Sequence, residues 1–145
     1  MERKVTKRKK NEMRRKGVAI VDTSEGILVV AIRNKRFTLP GGGAEKWESR
    51  KKATIRELYE ETGLKTKNIT YLFRYVGSKW YTHKGKLTRN HAKVFLVETE
   101  GHPKPRHEIK YIRFWKPNYN IPITNGTKKV IEKYLKGYKE TSRNL

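Results

Sequence analysis

Glu57, Glu60 and Glu61 stand at spacings i, i+3 and i+4 within the stretch IRELYEETGL. In a helix these spacings bring three carboxylates to one face, where each like-charged pair costs about 0.2–0.5 kcal/mol. A hard divalent cation turns that repulsion into coordination, because Mg²⁺ prefers carboxylate oxygens and keeps waters and phosphate oxygens in its other positions. The opposite face carries Ile55, Leu58, Tyr59 and Thr62, the stripe expected to bury against a sheet. Ser49 is placed to cap the start and Gly63 to close the end in a left-handed conformation, so the pattern predicts a helix over residues 49–62. Just before it, Leu39-Pro40-Gly41-Gly42-Gly43 excludes an ordinary helix or central strand and reads as a loop that backbone or ligand can approach closely.

The charge balance sets the surroundings of that acidic face. The chain has 145 residues with 36 Lys plus Arg against 14 Asp plus Glu, a formal charge of +22. Such a field attracts polyanions, most strongly at low salt. Five of the acids (Glu45, Glu48, Glu57, Glu60 and Glu61) fall within residues 42–64. An acidic pocket in a basic shell suits a metal-dependent enzyme acting on a phosphate anion. The absence of cysteine excludes a disulfide framework, a thiolate zinc site and a cysteine nucleophile, and is compatible with a reducing cytoplasm. No stretch approaches the run of about eighteen apolar residues that a membrane span needs, and the N-terminus is charged without an apolar segment. The expected location is cytoplasmic, without a membrane partner.

Along the chain, residues 1–16 are dominated by Lys and Arg and read as a basic N-terminal arm, with one domain over residues 17–145. Residues 17–21 and 27–32 are short apolar runs bracketing Asp22-Thr-Ser-Glu-Gly26, a predicted hairpin. Strands are expected over residues 69–81, 91–98 and 111–115, with a turn at Thr82-His-Lys-Gly85-Lys. A second helix over residues 127–138 places Val130, Ile131, Tyr134, Leu135 and Tyr138 on one side. This order predicts an α+β sandwich with a mixed sheet between helices.

Residues 42–64 fit the pattern G-x5-E-x7-R-E-U-x-E-E-x-G-U, U being a bulky aliphatic, at Gly42, Glu48, Arg56, Glu57, Leu58, Glu60, Glu61, Gly63 and Leu64. That pattern is the Nudix box, and the chain resembles the Nudix hydrolases. The resemblance implies a three-layer α/β/α arrangement and Mg²⁺- or Mn²⁺-dependent cleavage of a diphosphate bond, in a nucleoside diphosphate linked to another group. Carried over by position, it implies Glu57, Glu60 and Glu61 as metal ligands with a backbone carbonyl of the glycine run, centred on Gly42. Arg56 would orient Glu57 by a charge-assisted hydrogen bond, and Glu48 would stand behind the ligands or close the loop onto the helix.

The general base is Glu57 or a downstream acid, with Glu108 and Glu98 ranked above Glu100. Each downstream acid has the alternative reading of a surface charge paired with a lysine. Arg33, Arg36, Arg74 and Arg89 are candidates to meet phosphate, and Tyr75, Trp80 and Tyr81 to stack on a base. Trp47, where many family members have glycine, either shields the site, stacks on a base or caps the edge of the core. The histidines show no metal-ligand spacing. ADP-ribose, a dinucleoside polyphosphate and a nucleoside triphosphate all remain open as substrates. The competing reading is an RNA-binding protein of the same fold or an RNA 5′-end pyrophosphohydrolase, with the basic arm binding nucleic acid non-specifically by counterion release.

Overall fold

A computed structural model describes residues 12–33 and 35–138. The strands are β1 (Glu12–Ile20), β2 (Asp22–Thr23), β3 (Gly26–Ala31), β4 (Gly41–Gly43), β5 (Lys65–Val76), β6 (Trp80–Tyr81), β7 (Leu87–Glu100) and β8 (Tyr111–Trp115). The helices are α1 (Arg50–Thr62), between β4 and β5, and α2 (Asn125–Gly137), after β8.

The larger sheet runs β4-β1-β7-β5, with β6 paired to β7, and is mixed because β1 and β7 are parallel while the other pairs are antiparallel. A smaller antiparallel sheet runs β2-β3-β8. β3, GILVVA, is buried at every position, as a continuous apolar run must be when covered on both faces. Leu28 joins Ala19, Val21, Leu58, Phe95 and Val97 on the α1 side. Its neighbours Ile27 and Val29 join Ile20, Val94, Val130, Ile131 and Tyr134 on the α2 side. The layers are helix, sheet, helix, as expected of the α/β/α sandwich.

The expected hairpin is present only at its tip, where Asp22 pairs with Ile27 and Thr23 with Gly26. Beyond it the long arms part: β1 pairs with β4 and β7, and β3 with β8. The basic arm also needs correction. Residues 12–16 pair in register with Thr88 to Ala92 on β7 and belong to the sheet, and residues 1–11 lie outside the described residues.

α1 is capped as expected. The Ser49 hydroxyl accepts the Lys52 N–H, and Gly63, at φ 78°, donates its N–H to the Tyr59 carbonyl. Its buried face differs from the expected stripe, being Ala53, Thr54, Leu58, Glu61 and Thr62. Tyr59 is 43% exposed, its ring covered by the Arg106 guanidinium 4.7 Å away, so a position assigned to the core forms a cation–π contact at the surface. On α2, Thr127, Val130, Ile131 and Tyr134 are buried, and the Tyr134 hydroxyl donates to Asp22 Oδ2 at 2.7 Å, tying the helix to the hairpin tip.

Candidate active site

The glycine run forms the short edge strand β4 beside the functional face of α1. The bonds Ala19 N–H to Pro40 O and Ala44 N–H to Arg15 O fix the phase of the β1–β4 ladder. That phase turns Gly42 toward β1 and the polar groups of Gly41 and Gly43 outward. Accordingly the Gly41 N–H donates to Glu61 Oε1 at 3.2 Å and the Gly43 carbonyl accepts from Arg56 at 3.2 Å. The carbonyl expected from Gly42 therefore faces the ladder, and that of Gly41 faces the glutamates. Gly41 adopts φ 147° with no room for a Cβ against β1, while a Cβ on Gly42 would lie 2.5 Å from Glu57 Oε2. The loop backbone is laid directly on the Glu57 carboxylate.

Arg56 organises the exposed half of the cluster. Its Nε and a terminal nitrogen each donate to Glu48 at 2.8 Å, a bidentate pair, and it reaches Glu57 and Glu60 at 3.3 Å each. The Arg56 hydrogen bonds, then that of the Glu45 amide, hold the Glu48 carboxyl down to about 2. Glu48 also accepts from the Glu45 N–H at 3.0 Å, so it closes the loop onto the helix. Arg56 thus orients Glu48 more directly than Glu57.

Glu61 lies deepest, at 7% exposure. Burial pushes its carboxyl up to about 8; the Gly41 N–H opposes this, the charges of Glu57 and Glu108 add to it, and Lys16 opposes it. Burial likewise raises Glu57, with Arg56 opposing and Glu60 and Glu108 adding. Carboxylates whose charged form is disfavoured by burial and by one another are what a cation relieves. Among the described residues no three acids or histidines already form a metal cage. The donor set still fits Mg²⁺ or Mn²⁺: a few carboxylates and a carbonyl suffice for an ion that keeps water and substrate oxygens.

Glu108 is brought to this cluster by the loop over residues 101–110. The Lys104 N–H donates to Thr62 O and the Arg106 N–H to Glu61 O, so the loop satisfies carbonyls at the end of α1, and Arg106 Nη1 adds a second bond to Tyr59 O. His107, at φ 54°, turns the chain just before Glu108. Glu98 goes elsewhere: its carboxylate accepts from Asn68 at 2.8 Å and lies 4.0 Å from Lys67, an exposed pair on β5 and β7. The alternative reading of a surface charge holds for it.

A cavity of about 350 Å³ opens beside Gly41, between the larger sheet and the start of α2. Lys16, Tyr75, Asn90, Thr127 and Lys129 are among its lining residues. Lys16 is pushed below its ordinary pKa by burial and then by Arg14, while Glu61 and Glu57 oppose. Thr124 caps α2 through the Thr127 N–H, so the positive end of the helix faces the cavity.

Of the expected substrate contacts, only Tyr75 lines this space; Arg33, Arg36, Arg74, Trp80 and Tyr81 do not. Arg33 and Arg36 are exposed beyond β3, and Arg74 and Tyr81 are exposed on the larger sheet. Trp47 is 90% exposed, which excludes the reading that it caps the core. Sequence reasoning missed Lys16, Asn90 and Thr127. The readable signal was Thr124-Asn-Gly-Thr127, a helix start rich in small polar groups.

The NUDIX domain family matches residues 13–134. An RNA pyrophosphohydrolase of Brucella anthropi is 30% identical over 125 residues, which cover 71% of this chain and 70% of that protein. A solved structure described as a Nudix hydrolase family member, from Chromobacterium violaceum, is 32% identical with a TM-score of 0.74, covering 86% of this chain and 77% of that one. The MutT Nudix hydrolase of Burkholderia pseudomallei, 22% identical, shares the fold at a TM-score of 0.69 over 84% of this chain and 98% of its own. With the family matched over residues 13–134 and the acidic helix face assembled at its glycine edge, the chain belongs to the Nudix family, as an enzyme of the pyrophosphohydrolase type.

Proposed function

We propose that the protein hydrolyses a diphosphate bond in a nucleoside diphosphate linked to another group, using Mg²⁺ or Mn²⁺ held by Glu57, Glu60, Glu61 and the Gly41 carbonyl. The observation that carries this reading is the buried Glu61 carboxyl, raised to about 8 beside Glu57 and next to a cavity that Lys16 lines. When bound, the metal supplies charge neutralisation and a more acidic water. Lys16 and the start of α2 offer positive charge to the phosphates, and the apolar lining of Val18, Leu39, Ala92 and Val130, with Tyr75, takes the attached nucleoside. Glu108, close enough to raise both Glu57 and Glu61, accepts the proton of the attacking water. Water oxygen bonds to phosphorus as the bridging P–O bond breaks. Arg56 keeps Glu48 and the loop in place through its bidentate pair and steadies Glu57 and Glu60 through its longer contacts.

A second reading, the 5′ end of RNA as substrate, is favoured by the Brucella anthropi relative and by the charge of +22. In it, residues 1–11 serve as a basic arm that gathers polyanions. The test is a screen of the purified chain, with Mg²⁺, Mn²⁺ or EDTA, against ADP-ribose, dinucleoside polyphosphates, nucleoside triphosphates and 5′-triphosphate RNA. Metal-dependent phosphate or nucleotide release that Glu61→Gln abolishes is the expected result. No metal-dependent release from any of them refutes the reading.

A further inference from the structure

The face of the larger sheet that carries α1 is covered by that helix only in part. α1 begins over Gly17, where a Cβ would collide with Thr54 and the Arg50 carbonyl, and Leu58 then packs toward Ala19 and Phe95. The ends of β1, β5, β6 and β7 before that crossing point lie outside its cover. Side chains alternate along strands, so the register decides what this open area presents. Met13 pairs with Arg89, Arg15 with His91, Arg74 with Lys93, Val76 with His91, and Tyr81 with Leu87. All share the face on which Tyr71 meets Phe95 edge-on, with ring centroids 5.7 Å apart. The cavity residues Lys16, Tyr75, Asn90 and Ala92 point the other way.

Met13, Tyr71, Val76 and Tyr81 are all exposed here, and Tyr81 is 71% exposed. Cations stand between them. Lys93 Nζ lies 5.7 Å over the Tyr71 ring, and Arg50 reaches across to the His91 carbonyl at 3.1 Å. Burial, and then repulsion from Arg15 and Arg74, lowers the Arg50 proton affinity, with Tyr71 opposing. The Nε of Arg89 is shielded from solvent and has no hydrogen-bond partner. Like charges gathered around exposed aromatic rings on an open sheet are matched by a ligand that alternates phosphates with flat rings.

We propose that this face, built on Tyr71, Arg74, Tyr81, Arg89 and Lys93, docks single-stranded nucleic acid. It goes beyond the hydrolytic reading, since docking needs neither metal nor cleavable bond. The surface borders the active site through Arg15, which donates to the Glu48 carbonyl at 2.8 Å.

The test is fluorescence anisotropy of a labelled twelve-nucleotide oligouridylate with a 5′-hydroxyl, which offers no diphosphate, on the full chain in EDTA across a salt series. The pair Arg74→Gln and Lys93→Gln should weaken binding and flatten the log–log salt slope by about 1.4, at about 0.7 per phosphate contact. The pair Tyr71→Ala and Tyr81→Ala should weaken it by roughly fivefold or more with the slope unchanged, the signature of lost stacking. Melting curves check folding, and Tyr81→Ala alone, an exposed ring, replaces the tyrosine pair if that pair unfolds. Wild-type affinity in these variants, or equal competition by a base-free polyanion such as heparin, overturns the proposal. A chain that binds the oligonucleotide but hydrolyses nothing would refute the proposed function and leave this surface standing.

Discussion

Replacing Glu61 by Gln should stabilise the metal-free protein, and by an amount that depends on pH. In the fold this carboxyl is raised from 4.5 to about 8, chiefly by burial. A group raised on folding contributes stability that is complete below its unfolded pKa and is lost as pH climbs through the folded one. The window is therefore pH 4.5 to 8. At about 1.36 kcal/mol per unit, the loss relative to pH 4.5 reaches roughly 3 kcal/mol by pH 7. Gln carries no charge and keeps an oxygen for the Gly41 N–H, so it escapes the loss. For a chain of this size 1 kcal/mol corresponds to roughly 2–4 °C, which predicts Glu61→Gln melting roughly 6–12 °C above wild type at pH 7 in EDTA, with the two converging toward pH 5. Calorimetric melts from pH 5 to 8.5 measure this, and divalent metal should raise wild type far more than the variant. Parallel wild-type and variant curves in EDTA would refute the reasoning, because Glu61 would then be as well solvated folded as unfolded.

Two glycines should separate folding from catalysis. Gly17→Ala forces a Cβ into Thr54 and the Arg50 backbone and should lower stability by about 1–3 kcal/mol, read by melting; Gly42→Ala meets only the movable end of Glu57 and should cut turnover with little change in melting. Among the downstream acids, Glu108→Gln should lower kcat by roughly 10²–10⁴, whereas Glu98→Gln, removing an exposed pair, should leave steady-state kinetics close to wild type. Tyr134→Phe, which deletes the 2.7 Å bond to Asp22, should cost about 1–2 kcal/mol in denaturant unfolding without changing KM.

Local signals were legible where local physics decides. The Ser49 cap, the Gly63 end and the box spacing located α1 because each is a short-range backbone or side-chain requirement. The strand Tyr111–Trp115 and the second helix were legible for the same reason. β1 was hidden because its first residues, EMRRKG, are charged: they pair with distant β7, while Arg15 reaches Glu48 and Lys16 enters the cavity. The parting of β1 and β3 into separate sheets is likewise non-local. Tyr59 was misjudged because periodicity counts a ring as core whether a neighbour buries it or, as Arg106 does, caps it from solvent. The cavity could not be read at all, since its lining comes from β1, the segment leading into β4, β5, β7 and the start of α2.

The loop bearing Glu108 is held to α1 by its main chain, through the amides of Lys104 and Arg106, and by the one Arg106 side chain lying on Tyr59. Every residue type except proline supplies such an amide donor. Most of the loop can therefore vary in residue type while its last acid keeps station over the helix that bears the other carboxylates. An engineer seeking new leaving-group chemistry would do well to randomise residues 102–105 before touching the helix, keeping proline out of position 104 and leaving Arg106 and the left-handed turn at His107 as they are.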